Sequence, residues 1–130
     1  MPSFRDATLE DAAALSELGK RSFTETFGHL YTPDNLAAFL VTHEESQWRE
    51  QLASSVYSVC VIEQDKALIG YAKVGPPTLP FTPQGTPIEL RQFYILTPWQ
   101  GEGLAPMLMA WVLAEARRRG ADELYLSVFT

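Results

Sequence analysis

Thr97-Pro98-Trp99-Gln100-Gly101-Glu102-Gly103-Leu104-Ala105 is the stretch on which the fold of this chain turns. An apolar, β-prone run, Ile88 to Leu96 (IELRQFYIL), precedes it, and the longest amphipathic pattern of the chain, residues 101–119, follows. Leu104, Leu108, Trp111, Val112 and Glu115 recur there at helical intervals, and Gly120 ends the pattern. The stretch therefore reads as a strand-to-helix turn. The first amides of a helix have no partner within it, and the dipole there is positive. Gly101 and Gly103 lack the Cβ that would hold an anion off the backbone, so the turn suits a phosphate. A tight turn also needs small residues for purely structural reasons, and the motif alone leaves both readings standing.

Two phosphate loops are excluded. A Walker loop ends in Gly-Lys-Ser/Thr, which occurs nowhere in the chain. A dinucleotide fingerprint beginning at Gly101 needs Gly or Ala where Pro106 stands, and it would follow the first strand rather than the fourth.

Working outward, Ala67 to Val74 (ALIGYAKV) and Tyr57 to Ile62 (YSVCVI) read as strands joined through Gln64-Asp65-Lys66, a hairpin. Residues 75–87 carry five prolines and two glycines, which makes them an exposed loop. Glu123 to Phe129 (ELYLSVF) is a last strand, and Ser3 to Asp6 a short first one. Between them lie three helices. One covers residues 9 to about 27 behind a capping box at Thr8 and Asp11, one opens at Thr32-Pro33-Asp34, and one runs from Glu44 to Ala53. The order β-α-α-α-β-β-β-α-β defines an α/β layer fold, and 130 residues allow a single domain, residues 1–130.

Composition narrows the function. The net charge is −6, and residues 1–65 hold four basic against eleven acidic side chains while residues 66–130 hold six against five. No overall basic face exists for nucleic acid, and no apolar run reaches the ~18 residues of a membrane span. The lone Cys60 sits in an apolar strand and reads as a small core residue, which fits a reducing, cytoplasmic setting. His29 and His43 have no companion ligands in the pattern, so no metal is expected. Arg117, Arg118 and Arg119 favour the dipole at a helix end, with a contact to a phosphate as the other reading. Trp99 reads as packing beside the turn.

Gln100-Gly101-Glu102-Gly103-Leu104-Ala105 resembles motif A of the GNAT superfamily, the acetyl-CoA-dependent N-acetyltransferases, which reads Gln/Arg-x-x-Gly-x-Gly/Ala. The likeness extends to the strand ending Phe93-Tyr94-Ile95-Leu96, to Leu108 in the helix, to Leu124–Val128 as the family's fifth strand, and to Phe27–Leu40 as opening helices of a bacterial branch. The resemblance implies the GNAT acyl-CoA N-acyltransferase fold, a mixed central sheet with helices on both faces. It also implies transfer of acetyl from acetyl-CoA, without a metal, to the primary amine of a small molecule or peptide. The alternative is a catalytically inactive acyl-CoA-binding or regulatory module of the same fold.

Carried onto this chain, the resemblance assigns the amides of Gln100, Gly101, Glu102, Gly103, Leu104 and Ala105 to the pyrophosphate of the cofactor. Two departures stand out: Glu102 brings a carboxylate to a position often basic in the family, and Pro106 has no N–H to give. Phe93, Tyr94 and Ile95 would offer main-chain groups to the pantetheine arm as to an added half-strand, with the Ile95 N–H on the thioester carbonyl. Glu89 lies six residues before Ile95, the offset of the general base in some members. That even offset places both side chains on one strand face if no bulge intervenes. The plainer reading of Glu89 is a strand-end glutamate paired with Arg91 or with solvent. The acidic first half favours a cationic amine. In the family, a further helix and two strands follow the fifth strand, so the chain is expected to be C-terminally truncated at Thr130, with an open edge on its last strand that a second copy could cover as a homodimer.

Overall fold

A computed structural model of the chain describes residues 2–40, 44–76, 87–121 and 123–126. His43, most of the loop expected over 75–87 and the end of the strand expected over 123–129 lie outside the described residues. The elements are β1 (Ser3–Asp6), α1 (Ala12–Phe27), α2 (Pro33–Leu40), α3 (Glu45–Ala53), β2 (Ser58–Gln64), β3 (Ala67–Gly75), β4 (Pro87–Ile95), α4 (Leu104–Arg118) and β5 (Glu123–Leu126). Short 3-10 turns at Leu9–Asp11, Gly28–Leu30 and Thr97–Trp99 sit between them. The backbone divides into two compact units, one of Ala7–Ser54 and one of β1 with the chain from Ser55 onward.

The first unit is helical. The Thr8 N–H donates to Asp11 Oδ2 at 2.7 Å, so the expected cap is present, one 3-10 turn ahead of α1. Ala12, Leu15 and Leu18 form the buried stripe of α1, which lies against α3, where Trp48 is buried. Lys20 and Glu44 pair at 3.2 Å.

The second unit is a five-stranded sheet in the order β1-β2-β3-β4-β5. Its first four strands are antiparallel, and β5 runs parallel to β4. The β2–β3 hairpin closes through Asp65 and Lys66, both at positive φ (52° and 68°), the geometry of a two-residue turn that follows the sheet's twist. On one face, α4 lays Leu104, Leu108, Val112 and Ala116 against Cys60 and Ile62 of β2, Ala72 and Val74 of β3, and Ile88, Leu90 and Ile95 of β4. This is the apolar core of the unit.

The intervening positions point the other way: Val59, Val61, Tyr71, Lys73, Glu89 and Tyr94 are all buried on the opposite face. Along β3 and β4, Lys73 stands opposite Gln92 and Val74 opposite Leu90, so Arg91 is an extra residue on β4. That bulge reverses the alternation. Ile88 and Leu90 face α4 on one side of it, and Phe93 and Ile95 face α4 on the other. Glu89 and Ile95 therefore have their side chains on opposite faces, and the even-offset expectation fails because one residue was inserted between them.

Helix α4 begins at Leu104 rather than at residue 101, residues 101–103 being the turn itself. Its C-terminus closes with Gly120 N–H on Arg117 O and Ala121 N–H on Ala116 O, both at 2.9 Å. Arg119 donates to Ser58 Oγ, Val56 O and Ser55 O at 2.8–3.0 Å, tying the helix end to the entry of β2. Arg119 is thus a clamp at the far end of α4, about 20 Å from the glycine turn by helix rise.

Candidate functional site

The turn after β4 is built from the strand outward. The Leu96 N–H donates to Ile69 O at 2.8 Å, and the 3-10 turn follows, with Trp99 N–H on Leu96 O and Gln100 N–H on Thr97 O. The Gln100 amide is therefore already donated inside the turn, which removes it from the set of amides expected to face the pyrophosphate. Its side chain turns back instead, Nε2 donating to Ile95 O at 2.9 Å. Gly101 (φ 86°) and Gly103 (φ 79°) both lie in the left-handed region. A Cβ at either would stand in open space, so conformation, and not crowding, demands glycine at both.

Gly103 caps α4 without a side chain, so no side-chain acceptor serves the first amides of the helix. Leu104 and Ala105 supply two such amides, and Pro106 supplies none. Glu102 is exposed on the rim of the turn. Uncapped amides over an open, Cβ-free backbone fit a phosphate oxygen, and so fit the pyrophosphate of coenzyme A.

Strand β4 adds an edge. Because the Leu96 N–H points to β3, backbone alternation turns the Ile95 and Phe93 N–H groups away from β3. The described pairing of β4 with β5 covers only Pro87–Leu90. Tyr94 turns its carbonyl towards Gly70, where an added Cβ would meet it at 2.8 Å. The three expected backbone contributors to that edge are thus reduced to two, Phe93 and Ile95. Tyr94 enters through its side chain, opposite Tyr71 on the face away from α4.

That face holds a polar cluster. Glu89 is fully buried and pairs with Arg91, Nε to Oε2 at 3.2 Å, while Arg91 Nη1 donates to Pro76 O. The Tyr57 ring lies 5.6 Å from Lys73 Nζ and 5.8 Å from the Arg91 guanidinium carbon. A Cβ on Gly75 would come within 2.6 Å of this ring. Burial, and secondarily the Arg91 charge, bring the Lys73 ammonium down to about 8. Burial, with Tyr94 beside it, pushes the Tyr71 hydroxyl up. Gln92 completes the cluster, with an Oε1 that is sealed from solvent and receives no hydrogen bond among the described residues. Lys73, Gln92 and Tyr57 escape a reading of the sequence. The one signal they leave is a lysine inside the otherwise apolar β3 and a third polar residue, beside Glu89 and Arg91, inside β4.

Cys60 is fully buried and its thiol is pushed up to about 12, by burial first and by Asp6 second, so it is inert packing. His29 is exposed, and among the described residues no group of His, Cys, Asp or Glu could hold a metal ion. No helix among the described residues is long and apolar enough to cross a membrane.

Comparison with known proteins places this architecture. The model of the acetyltransferase (GNAT) family matches residues 14–130. An uncharacterized N-acetyltransferase of Mycobacterium bovis is 26% identical over 121 residues, covering 92% of this chain and 74% of the relative. Among solved structures, the PaiA N-acetyltransferase of Thermoplasma acidophilum in complex with coenzyme A superposes with a TM-score of 0.83 at 16% identity, over 98% of this chain and 79% of that one. An aminoglycoside N-acetyltransferase in complex with CoA gives 0.73 at 16% identity, over 99% and 78%. The chain belongs to the acetyltransferase (GNAT) family and has its fold.

Proposed function

We propose that this chain transfers the acetyl group of acetyl-CoA to a primary amine. The observation that carries this reading is the uncapped glycine turn, residues 101–103 leading into α4, set directly after a strand whose Phe93 and Ile95 N–H groups face away from β3. The amides of Gly101, Glu102, Gly103, Leu104 and Ala105 hold the pyrophosphate, and Pro106 contributes shape only. The pantetheine arm lies along the edge presented by Phe93 and Ile95, and the Ile95 N–H takes the charge that develops on the thioester oxygen. The amine nitrogen forms its bond to the acyl carbon as the carbon–sulfur bond breaks, and the departing thiolate takes up a proton.

Glu89 is the base in this reading. A backbone N–H lies in the plane of the sheet, so the bulge that separates the two side chains leaves Ile95 N–H and Glu89 able to serve one amine approaching from the face away from α4. The ion pair with Arg91 holds the carboxylate in place, and a single water completes the proton path. The full burial of Glu89 also favours a second reading, an acyl-CoA-binding module of the same fold without turnover.

Both readings require acetyl-CoA to stabilise the protein. At 100 times its dissociation constant the gain is about 2.7 kcal/mol, and adenosine nucleotides lacking the arm should give less. Absence of any thermal shift overturns both. Release of free thiol with a panel of amines supports transfer, and a shift without release supports the binding module. Glu89→Gln should lower turnover at least tenfold with acetyl-CoA affinity unchanged, and undiminished turnover would remove Glu89 from the mechanism.

A further inference from the structure

Helix α4 is apolar on the side that the sheet does not use. Leu104, Leu108, Val112 and Ala116 face the sheet, while Pro106, Met107, Ala110, Leu113 and Ala114 are exposed on the opposite side. Spaced by three and four residues, these five make one continuous stripe. Met107 is 56% exposed and Leu113 41%. No charged side chain interrupts the chain from Gly103 to Ala114. A helix lying on a sheet ordinarily turns a charged face to water, and one that is apolar all round is buried all round. On this side charge returns only at the two ends. Glu102 stands just ahead of the Gly103 cap, and Arg117 ends the stripe. Arg118 is held by Glu115, whereas neither Glu102 nor Arg117 has an ion-pair partner among the described residues.

We propose that this stripe is the interface of a homodimer, in which α4 packs antiparallel against α4 of a second copy about a two-fold axis at Ala110. A two-fold contact needs a surface that complements its own reverse. The stripe does so. Met107 and Leu113 lie three residues either side of Ala110, Pro106 and Ala114 four, and a charge of opposite sign stands beyond each end. In this register Ala110 meets the partner's Ala110, Met107 meets the partner's Leu113, and Glu102 comes beside the partner's Arg117. Alanine at the axis lets the helices approach to about 8 Å. A parallel pair would set Glu102 against Glu102 and Arg117 against Arg117, so the end charges select the antiparallel one. The surface is distinct from the open edge of β5, and the pairing is independent of the acetyl-transfer reading. A helix of this length offers a contact about 22 Å long, small beside a permanent interface, so the dimer is a reversible one.

The test is sedimentation velocity of the full chain from about 5 µM to about 500 µM, the span in which an interface of this size assembles. The parent should pass from monomer to dimer across it, and a chain that stays monomeric throughout overturns the proposal. Ala110→Glu sets two carboxylates against each other on the axis, at an exposed helical site. It should weaken the dimer about tenfold or more, while the dilute, monomeric protein melts within a few degrees of the parent. A dimer that survives this change assembles through another surface, the β5 edge included, and the helix face is then not the interface. Cysteine cross-linking reads the register. Ala110→Cys should form an intermolecular disulfide under mild oxidation. Ala114→Cys should not, because its two copies stand about 12 Å apart along the axis, beyond the reach of about 7 Å that a disulfide allows. Cys60 is buried and does not compete. Equal bridging of both variants would show a parallel pair and overturn the antiparallel one. Arg117→Glu should weaken the dimer several-fold, and adding Glu102→Arg should restore it. A double variant no tighter than the single one would overturn the register.

Discussion

The two faces of the second unit's sheet are made from the same strands and do different work. The face under α4 carries side chains such as Cys60, Val74 and Leu90, fully buried and apolar, packed against Leu108 and Val112 of the helix and held by shape and by exclusion of water. The face away from it is just as buried, yet it holds Lys73, Glu89 and Tyr71, each of which costs free energy to dehydrate. Stability resides on the first face, and the second draws on it to keep charged groups dry beside the cofactor edge. The bulge at Arg91 divides the two roles, because it lets Glu89 and Ile95 belong to one strand and to different faces.

The severest way to break this division is to remove the inserted residue. Deleting Arg91 makes β4 alternate without interruption, so either Glu89 is driven among the apolar side chains under α4 or Phe93 and Ile95 leave them. The carboxylate would lose its Arg91 partner in the same step. The expected outcome is loss of cooperative thermal unfolding, read by circular dichroism. A deletion variant that melts within a few degrees of the parent would show that the bulge does not set the faces.

Next in size is Leu108→Ala, which empties a fully buried site on the apolar face. Truncations of this kind cost about 2–5 kcal/mol, and denaturant titration should find a loss in that range. Acetyl-CoA affinity of the molecules that remain folded should be unchanged, since the turn at Gly101–Gly103 stands outside the core. A loss of affinity matching the loss of stability would mean the two faces are not separable.

The same contrast separates what could be read in the sequence from what could not. Leu104, Leu108 and Val112 announce α4 through their spacing, and the alternating apolar residues of β2 and β3 announce the sheet, because core packing imposes a period on many residues at once. Gly101 and Gly103 were visible for a different reason: a backbone at positive φ admits few other residues. A bulge imposes no period. It is one extra residue, and nothing in IELRQFYIL distinguishes Arg91 from its neighbours. Glu89 could accordingly be singled out as a residue and not placed on a face. Lys73, a lone charged side chain in an apolar strand, and Gln92, one of three polar residues in β4, had no pattern to belong to until β3 and β4 were put in register.

The smallest of these effects sharpens the comparison through pH. Lys73 titrates near 10.5 when unfolded and at about 8 in the folded chain, chiefly because burial disfavours its charge. Below pH 8 both states hold the proton, and folding carries the whole cost of burying the cation. Between pH 8 and 10.5 the folded state has released the proton and the unfolded state keeps it. The unfolded state then binds more protons, so stability rises with pH, by roughly 1.4 kcal/mol per unit and at most about 3 in all. Cys60 acts in the opposite sense on the other face: its folded thiol is raised to about 12 from 9.0, so its contribution falls as pH climbs above 9. The two trends are separated by subtraction. Lys73→Met should be more stable than the parent at pH 7, and denaturant titrations should show that advantage shrinking steadily from pH 8 upward, while the decline due to Cys60 persists in both proteins. Stability curves for parent and variant that run parallel from pH 7 to 10 would mean that Lys73 keeps its proton in the folded chain, and that the face away from α4 is wetter than its burial implies.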